Sequence, residues 1–210
     1  MVDLILALVM LLNFALLGSG RIRVLIRTAA MQGMVISALP LALGHEHSTR
    51  GVVLALIALV IKGFVIPAIL LRAFDRLNIR REVEPFIGYS ASLLLVALGT
   101  AGGVLIGRNL PLAPEHAGNL AVAASLATVF AGFLLLITRR KAITQATGYL
   151  ILENGISIFG LTLVGGVPFL VETTLLLDLV AGVFVMVIVM NHIHRAFTTL
   201  DTRHLTSLKE

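Results

Sequence analysis

Apolar runs close to the thickness of a bilayer recur seven times along these 210 residues, and that recurrence constrains the fold more than any motif does. A helix needs about 20 apolar residues to cross the hydrocarbon core, where every backbone amide must find its partner within the segment. The runs cover Val2–Gly18 and residues 28–43, 51–71, 85–107, 118–138, 146–164 and 171–191. Pro40 makes the second run the least regular. Charged residues are 13% of the chain, against roughly 25% in soluble domains. The expected fold is all-α: a polytopic integral membrane protein with about seven transmembrane helices. The apolar start has no basic n-region and no small-residue cleavage site, so it reads as a retained helix.

Basic residues set the expected orientation. Arg21, Arg23 and Arg27 follow the first run, and Arg72, Arg76, Arg80 and Arg81 follow the third. Arg139, Arg140 and Lys141 follow the fifth, and Arg195, Arg203 and Lys209 the seventh. The opposite face has only Arg50 and Arg108, while Lys62 lies inside a run. The positive-inside rule then puts the N-terminus outside and the C-terminus in the cytoplasm. The net charge of +5 is topological, so the lipid bilayer is an expected partner and nucleic acid is not. Arg72-Ala73-Phe74 and Arg195-Ala196-Phe197 end the third and seventh runs alike. That likeness suggests parallel three-helix units at residues 1–84 and 118–210, the second with a cytoplasmic tail. A linking transmembrane helix and outer loop at 85–117 would join them.

Three ionisable residues sit deep in these runs. At 1.5 Å per residue, Glu153 lies roughly 11 Å from the cytoplasmic side, Lys62 roughly 15 Å and Asp178 roughly 20 Å. Carboxylates are too short to snorkel from there, and a charge in hydrocarbon costs at least ~2.5–3.5 kcal/mol on insertion scales. An acid–base–acid series along the membrane normal suits a proton relay, because each group can take or release a proton as its neighbour's charge changes. The competing reading is a set of structural ion pairs that fix helix register. Gly182, four residues after Asp178, and Gly155 near Glu153 would let neighbouring helices approach. Pro67 with Gly63 points to a kink beside Lys62.

Other polar residues have quieter expectations. Asn13 and Gln32 read first as interhelical hydrogen-bond partners, with Gln32 and Asn154 also accessory candidates for the path. Glu172 fits the first turn of the last helix, where the helix dipole accommodates a negative charge. His192 and His194 sit at the cytoplasmic exit of that helix, either admitting protons or simply lying at the interface. His45 and His47 flank Glu46 in an outer loop, which is too few ligands for a metal site. The chain has no Cys, so it forms no disulfide and no thiolate-held cluster.

Leu152-Glu153-Asn154, in the penultimate helix, resembles the glutamate motif of the K subunit of bacterial complex I and of the C subunit of multisubunit cation/proton antiporters. Asp178, with Gly182 four residues later, resembles that family's acidic residue in the last helix. The ending is similar too, through His192, His194, Arg195 and Leu200-Asp201-Thr202. This similarity covers residues 118–210. A longer chain that ends this way resembles the hydrogenase-4 component E family, on Gly148-Tyr-Leu-Ile-Leu-Glu-Asn-Gly155 and Met190-Asn-His-Ile-His194.

The resemblance implies a membrane-arm subunit of formate hydrogenlyase-type and related group 4 nickel–iron hydrogenase complexes, in a prokaryotic inner membrane. Glu153 and Asp178 would carry protons along the hydrophilic axis of the arm. The chain would not be catalytic alone and would hold no cofactor; the nickel–iron centre and iron–sulfur clusters would sit in partner subunits. Antiporter-like membrane subunits would pack against it, with the hydrogenase arm more remote. Where the complex I subunit has Glu in its last helix, this chain has Asp178. Gln32 and Lys62 stand where a second acidic pair would be. An antiporter subunit without a redox partner and a structural spacer remain as alternatives. The extra helices count against the first of these. A retinal-type pump would need a Lys in its seventh helix, where this chain has none.

Overall fold

The computed structural model describes residues 1–43, 49–76, 86–110 and 120–163, together with Leu176, Leu179, Val180, Gly182, Val183, Met186 and Val187. All of the regular structure among them is helical. The first helix, α1, spans Val2–Gly18, as the hydropathy pattern predicts. A three-residue connection leads to α2 at Ile22–Ser37, followed by a short α3 at Leu39–Leu43. The bend between them precedes Pro40, which has no N–H to give to the carbonyl of Ile36. Next come α4 (Thr49–Val60), a π-helical turn (Ile61–Val65) and α5 (Ile66–Arg76), which run on without a break. The last three are α6 (Tyr89–Asn109), α7 (Ala121–Thr138) and α8 (Ala142–Leu163).

Four of the described spans are long and apolar enough to cross a membrane: Ile22–Ala42, Ala55–Asp75, Tyr89–Asn109 and Ala121–Thr138, with Val2–Gly18 a shorter apolar helix. Their outward faces are apolar, with Leu94, Leu98 and Leu105 of α6 and Phe133 and Ile137 of α7 all exposed. A water-soluble monomer does not tolerate apolar surface on that scale, whereas lipid does. This is a membrane protein.

The predicted second run, 28–43, begins six residues early, so Arg23 and Arg27 belong to a helix and not to a loop. Arginine permits this at a helix end because its long stem reaches polar surroundings. Arg23 does so by pairing with Asp75 at 2.6 Å and stacking over the Phe74 ring. The predicted 146–164 begins at Ala142, with a first turn in which the Thr144 and Gln145 amides donate to the Lys141 carbonyl. The predicted run 171–191 is helical at each of its described positions.

Most of the described basic residues lie at one end of the bundle, with Arg108, in the last turn of α6, at the other. Arg139 donates to the Leu17 carbonyl at the end of α1, the Phe86 amide donates to the Thr138 carbonyl at the end of α7, and Arg140 stacks on Phe86. At the other end Asp3 of α1 accepts the Leu120 amide ahead of α7. Successive described spans therefore alternate in direction.

The closest packing is between α7 and α8, along a seam of small residues. A side chain at Gly155 would lie 2.5 Å from the Val129 amide nitrogen, and one at Gly148 would lie 2.8 Å from Leu135. Without Cβ atoms at these points the two backbones come together, as membrane helices do where small residues face each other. That seam uses one side of α8 and leaves the side bearing Leu150, Glu153, Asn154 and Ser157 for α2 and the π-helical turn.

Candidate functional site

On that second side Glu153 meets Lys62. The Lys62 Nζ donates to Glu153 Oε1 at 2.8 Å and to Ser157 Oγ at 3.2 Å, and the Ser157 hydroxyl donates to the same carboxylate oxygen at 2.8 Å. Both charged side chains are more than nine-tenths buried, at 9% and 6% exposure. Glu153 stands eleven residues from the start of α8, about 16 Å along it. The earlier start of α8 brings Glu153 level with Lys62, whose expected depth is roughly 15 Å.

The backbone around Lys62 accounts for its aim. A π-helical turn inserts one extra residue and rotates the side chains on either side of it relative to each other. Here it coincides with the kink expected from Gly63 and Pro67. Gly63 lies against Met34 of α2, where an added Cβ would come within 2.5 Å of the Met34 side chain, and Gly33 lies against the Lys62 stem. The lysine is thus wedged at a close crossing of α2 and directed at α8.

A second polar group runs across the bundle one position away. The Asn154 amide donates to Gln32 Oε1 at 3.3 Å, the Gln32 amide to Asn13 Oδ1 at 2.8 Å, and the Asn13 amide to Thr128 Oγ1 at 3.0 Å. Four helices each contribute one residue to this layer, and all four side chains are buried. Apolar layers enclose it. Leu16, Ala29, Ala131 and Ile151 lie on one side, and Val9, Ile36, Ala124 and Ile158 on the other, each three or four residues away along its helix. Every residue in the layer thus occupies a core position of its helix, where an unpaired amide would be costly. The network fixes the rotation of α8 and with it the direction of Glu153.

A small cavity adjoins the ion pair. Its apolar walls include Ala30, Ile66, Leu150 and Leu179, and Lys62, Glu153 and Asn154 supply the polar part. Glu153 Oε2 is buried and has no hydrogen-bond partner among the described residues. Leu179 and Val183 belong to the apolar cluster that also holds Ile66, Leu70 and Leu150. An added Cβ at Gly182 would lie 2.7 Å from the Tyr149 ring, the close approach expected at that glycine.

Arg139, expected to be a topological charge in a loop, is fully buried. Its Nη2 donates to the Leu17 carbonyl at 3.1 Å and lies 3.4 Å from Ser92 Oγ, and its guanidinium stacks over Tyr89. Burial lowers its pKa from the ordinary value, and the neighbouring Tyr89 phenol partly opposes this.

The sequence-derived candidates separate clearly. Lys62 and Glu153 come together, Asn154 and Gln32 join the neighbouring network, and Asp178, Glu172, His192 and His194 lie outside the described residues. Sequence reasoning missed Ser157 and Thr128. Ser157 had a signal, since it follows Glu153 at i+4 and so shares its face. Among the described residues no three His, Asp or Glu side chains form a metal-binding group.

Comparison with known proteins gives two kinds of relative. Rv0085 of Mycobacterium tuberculosis, described as an uncharacterized protein, is 30% identical over 191 residues, which is 90% of this chain and 87% of the relative. Hydrogenase-4 component E of Escherichia coli K12 and that of Shigella flexneri are each 28% identical over 152 residues, 72% of this chain and 70% of each relative. No protein-family model matches the chain, and no solved structure matches it significantly.

Proposed function

We propose, for a chain that belongs to one family with the mycobacterial protein Rv0085 and is distantly homologous to hydrogenase-4 component E, the role of a non-catalytic membrane subunit in a hydrogenase-type complex whose buried charges carry protons. The observation that carries this reading is the Lys62–Glu153 pair, buried at mid-span, with Glu153 Oε2 unpartnered among the described residues. A buried pair gives little net stability, so a membrane protein that keeps one at this depth has a use for its charge.

The proposed mechanism uses the pair as one station. A proton arriving on Glu153 removes the counter-charge of Lys62, so each transfer alters the electrostatic balance of the next. Ser157 holds the carboxylate oxygen that faces Lys62, while Asn154 and Gln32 keep α8 turned. Asp178 is the proposed next station on sequence grounds, and the resemblance to the K subunit of complex I supports that choice. In this reading the basic end of the bundle faces the cytoplasm of a prokaryote, in the inner membrane. Redox chemistry belongs to partner subunits that hold the nickel–iron centre and iron–sulfur clusters, and antiporter-like subunits flank the chain.

Affinity purification of the tagged chain from its own membranes, followed by mass spectrometry, tests membership. Hydrogenase large and small subunits should co-purify in fixed ratio with antiporter-like subunits. Recovery of antiporter-like subunits alone would replace this reading with a cation/proton antiporter that has no redox partner.

A further inference from the structure

Where α2 meets α5 the exposed charge is in cationic excess. The two helices run antiparallel, and contacts at the basic end fix their register. Arg23 pairs with Asp75 and stacks over Phe74, while Ile22 and Ile26 share an apolar cluster with Leu70 and Phe74. From that clamp Arg27 lies four residues further along α2, about 6 Å, and Arg72 three residues back along α5, about 4.5 Å. The two arginines are therefore level, one turn further into the span. Both are exposed, and both fall inside stretches apolar enough to cross a membrane, Ile22–Ala42 and Ala55–Asp75. Neither has an ion-pair partner among the described residues, and Asp75, the one carboxylate of these two helices, is engaged by Arg23.

Arg27 follows Arg23 at i+4, and Arg72 precedes Asp75 at i−3, so each arginine shares a helix face with one member of the clamp. Two like charges at one level on adjoining helices oppose the packing unless an anion stands between them. A phosphate suits both, because each planar guanidinium fork matches a pair of its oxygens. The surface further into the span indicates the source of that phosphate. Met31 of α2 is 53% exposed there, and Phe64 and Val65 of the π-helical turn are 60% and 44% exposed. Free phosphate gains nothing from such a surface, whereas an acyl chain packs on it. A phosphate with an apolar tail running inward is a membrane phospholipid.

We propose that Arg27 and Arg72 bind the phosphate of one anionic phospholipid, whose tail lies along the surface of Met31, Phe64 and Val65. Basic groups between membrane helices at the interface hold lipid headgroups in this way. A zwitterionic headgroup brings its own cation to the arginines and offsets the attraction; an anionic one does not. The lipid covers the crossing of α2 and the π-helical turn, where Gly63 lies against Met34 and Gly33 against the Lys62 stem. It thereby holds together the two helices whose contact aims Lys62. The site stands on the arginines alone, whether or not the Lys62–Glu153 pair carries protons.

The test titrates the full chain, purified in mild detergent, with phosphatidylglycerol and separately with phosphatidylcholine, and follows lipid adducts by native mass spectrometry. Two arginines near the membrane surface should favour the anionic lipid by roughly 30-fold, and Arg27→Gln should cut that preference to roughly 5-fold. Arg108→Gln, in the last turn of α6 at the opposite end, makes the same change in net charge and should leave the preference intact. Equal binding of the two lipids by the wild-type chain overturns the site, and that comparison needs no variant to fold. An unchanged preference in Arg27→Gln overturns it too. An equal fall in Arg27→Gln and Arg108→Gln means that net charge and not a site selects the lipid, which also overturns it. Sodium phosphate should not displace phosphatidylglycerol; displacement at millimolar concentration would make the occupant a free anion and overturn the lipid.

Discussion

Replacing Lys62 by Met isolates the energetics of the buried pair. At the observed 2.8 Å separation, with an effective dielectric of about 20, the attraction is roughly 6 kcal/mol. Moving both ions out of water costs several kcal/mol each, so the intact pair contributes close to nothing net. The picture changes when one partner goes. Lys62→Met leaves the Glu153 carboxylate buried without its counter-ion, and breaking such a pair typically costs about 3–5 kcal/mol. Glu153→Gln strands the ammonium in the same way, although the amide can still accept a hydrogen bond from it. The double variant removes both charges and should recover most of the loss. A double-mutant cycle, read as unfolding free energy of the purified chain in mixed micelles, should therefore give a coupling energy of roughly 3 kcal/mol or more. Additive single losses, or a Lys62→Met loss below about 1 kcal/mol, would mean that the two charges do not meet in the membrane.

Three further outcomes follow from the packing. Gly155→Leu would drive a side chain toward the Val129 amide nitrogen, 2.5 Å from the added Cβ. It should lower stability by at least about 1–3 kcal/mol, measured by thermal unfolding, with little change if Ala is used at an exposed position of α6 instead. Gln32→Leu strands the amides of Asn13 and Asn154 and should cost about 1–2 kcal/mol in the same assay. Arg139→Met removes a buried cation whose Nε and Nη1 have no partner among the described residues, so it should change stability by less than about 1 kcal/mol near neutral pH. Because the folded-state pKa of Arg139 is lowered, the unfolded chain binds the extra proton between that value and the ordinary one. Wild-type stability should then gain on the Met variant only as pH rises through that alkaline window, and the difference should be flat below it.

Much of this architecture is written in hydropathy, because a membrane span must be apolar and helical whatever its neighbours are. The α1 boundaries and the existence of α4–α5, α6, α7 and α8 follow from that alone. Helix starts do not, as α2 and α8 show. Arginines and a Thr-Gln pair look like loop to a hydropathy scale, yet both segments begin in those residues. The position of Glu153 along its helix shifts for the same reason, from two turns past the expected start to the middle of α8. The pairing of Lys62 with Glu153 depends on which faces of α8 are taken by the glycine seam with α7, a three-dimensional fact. The glycines that form the seam were visible in the sequence, but their partners were not. Thr128 escaped notice because a threonine in an apolar helix commonly satisfies itself, and this one also donates to the Ala124 carbonyl at 2.7 Å. Arg139 counted correctly toward the basic end of the bundle, and nothing local marks it as the one that turns inward.

The proposed role of Glu153 is that of an acid. Redox-driven proton translocation by vesicles containing the complete complex, comparing Glu153→Gln with wild type at equal assembly, tests it most directly. Glutamine keeps the shape and can hydrogen-bond but cannot ionise. Continued redox turnover with translocation lost is the expected result; translocation at the wild-type rate in the assembled variant would leave the pair a structural one.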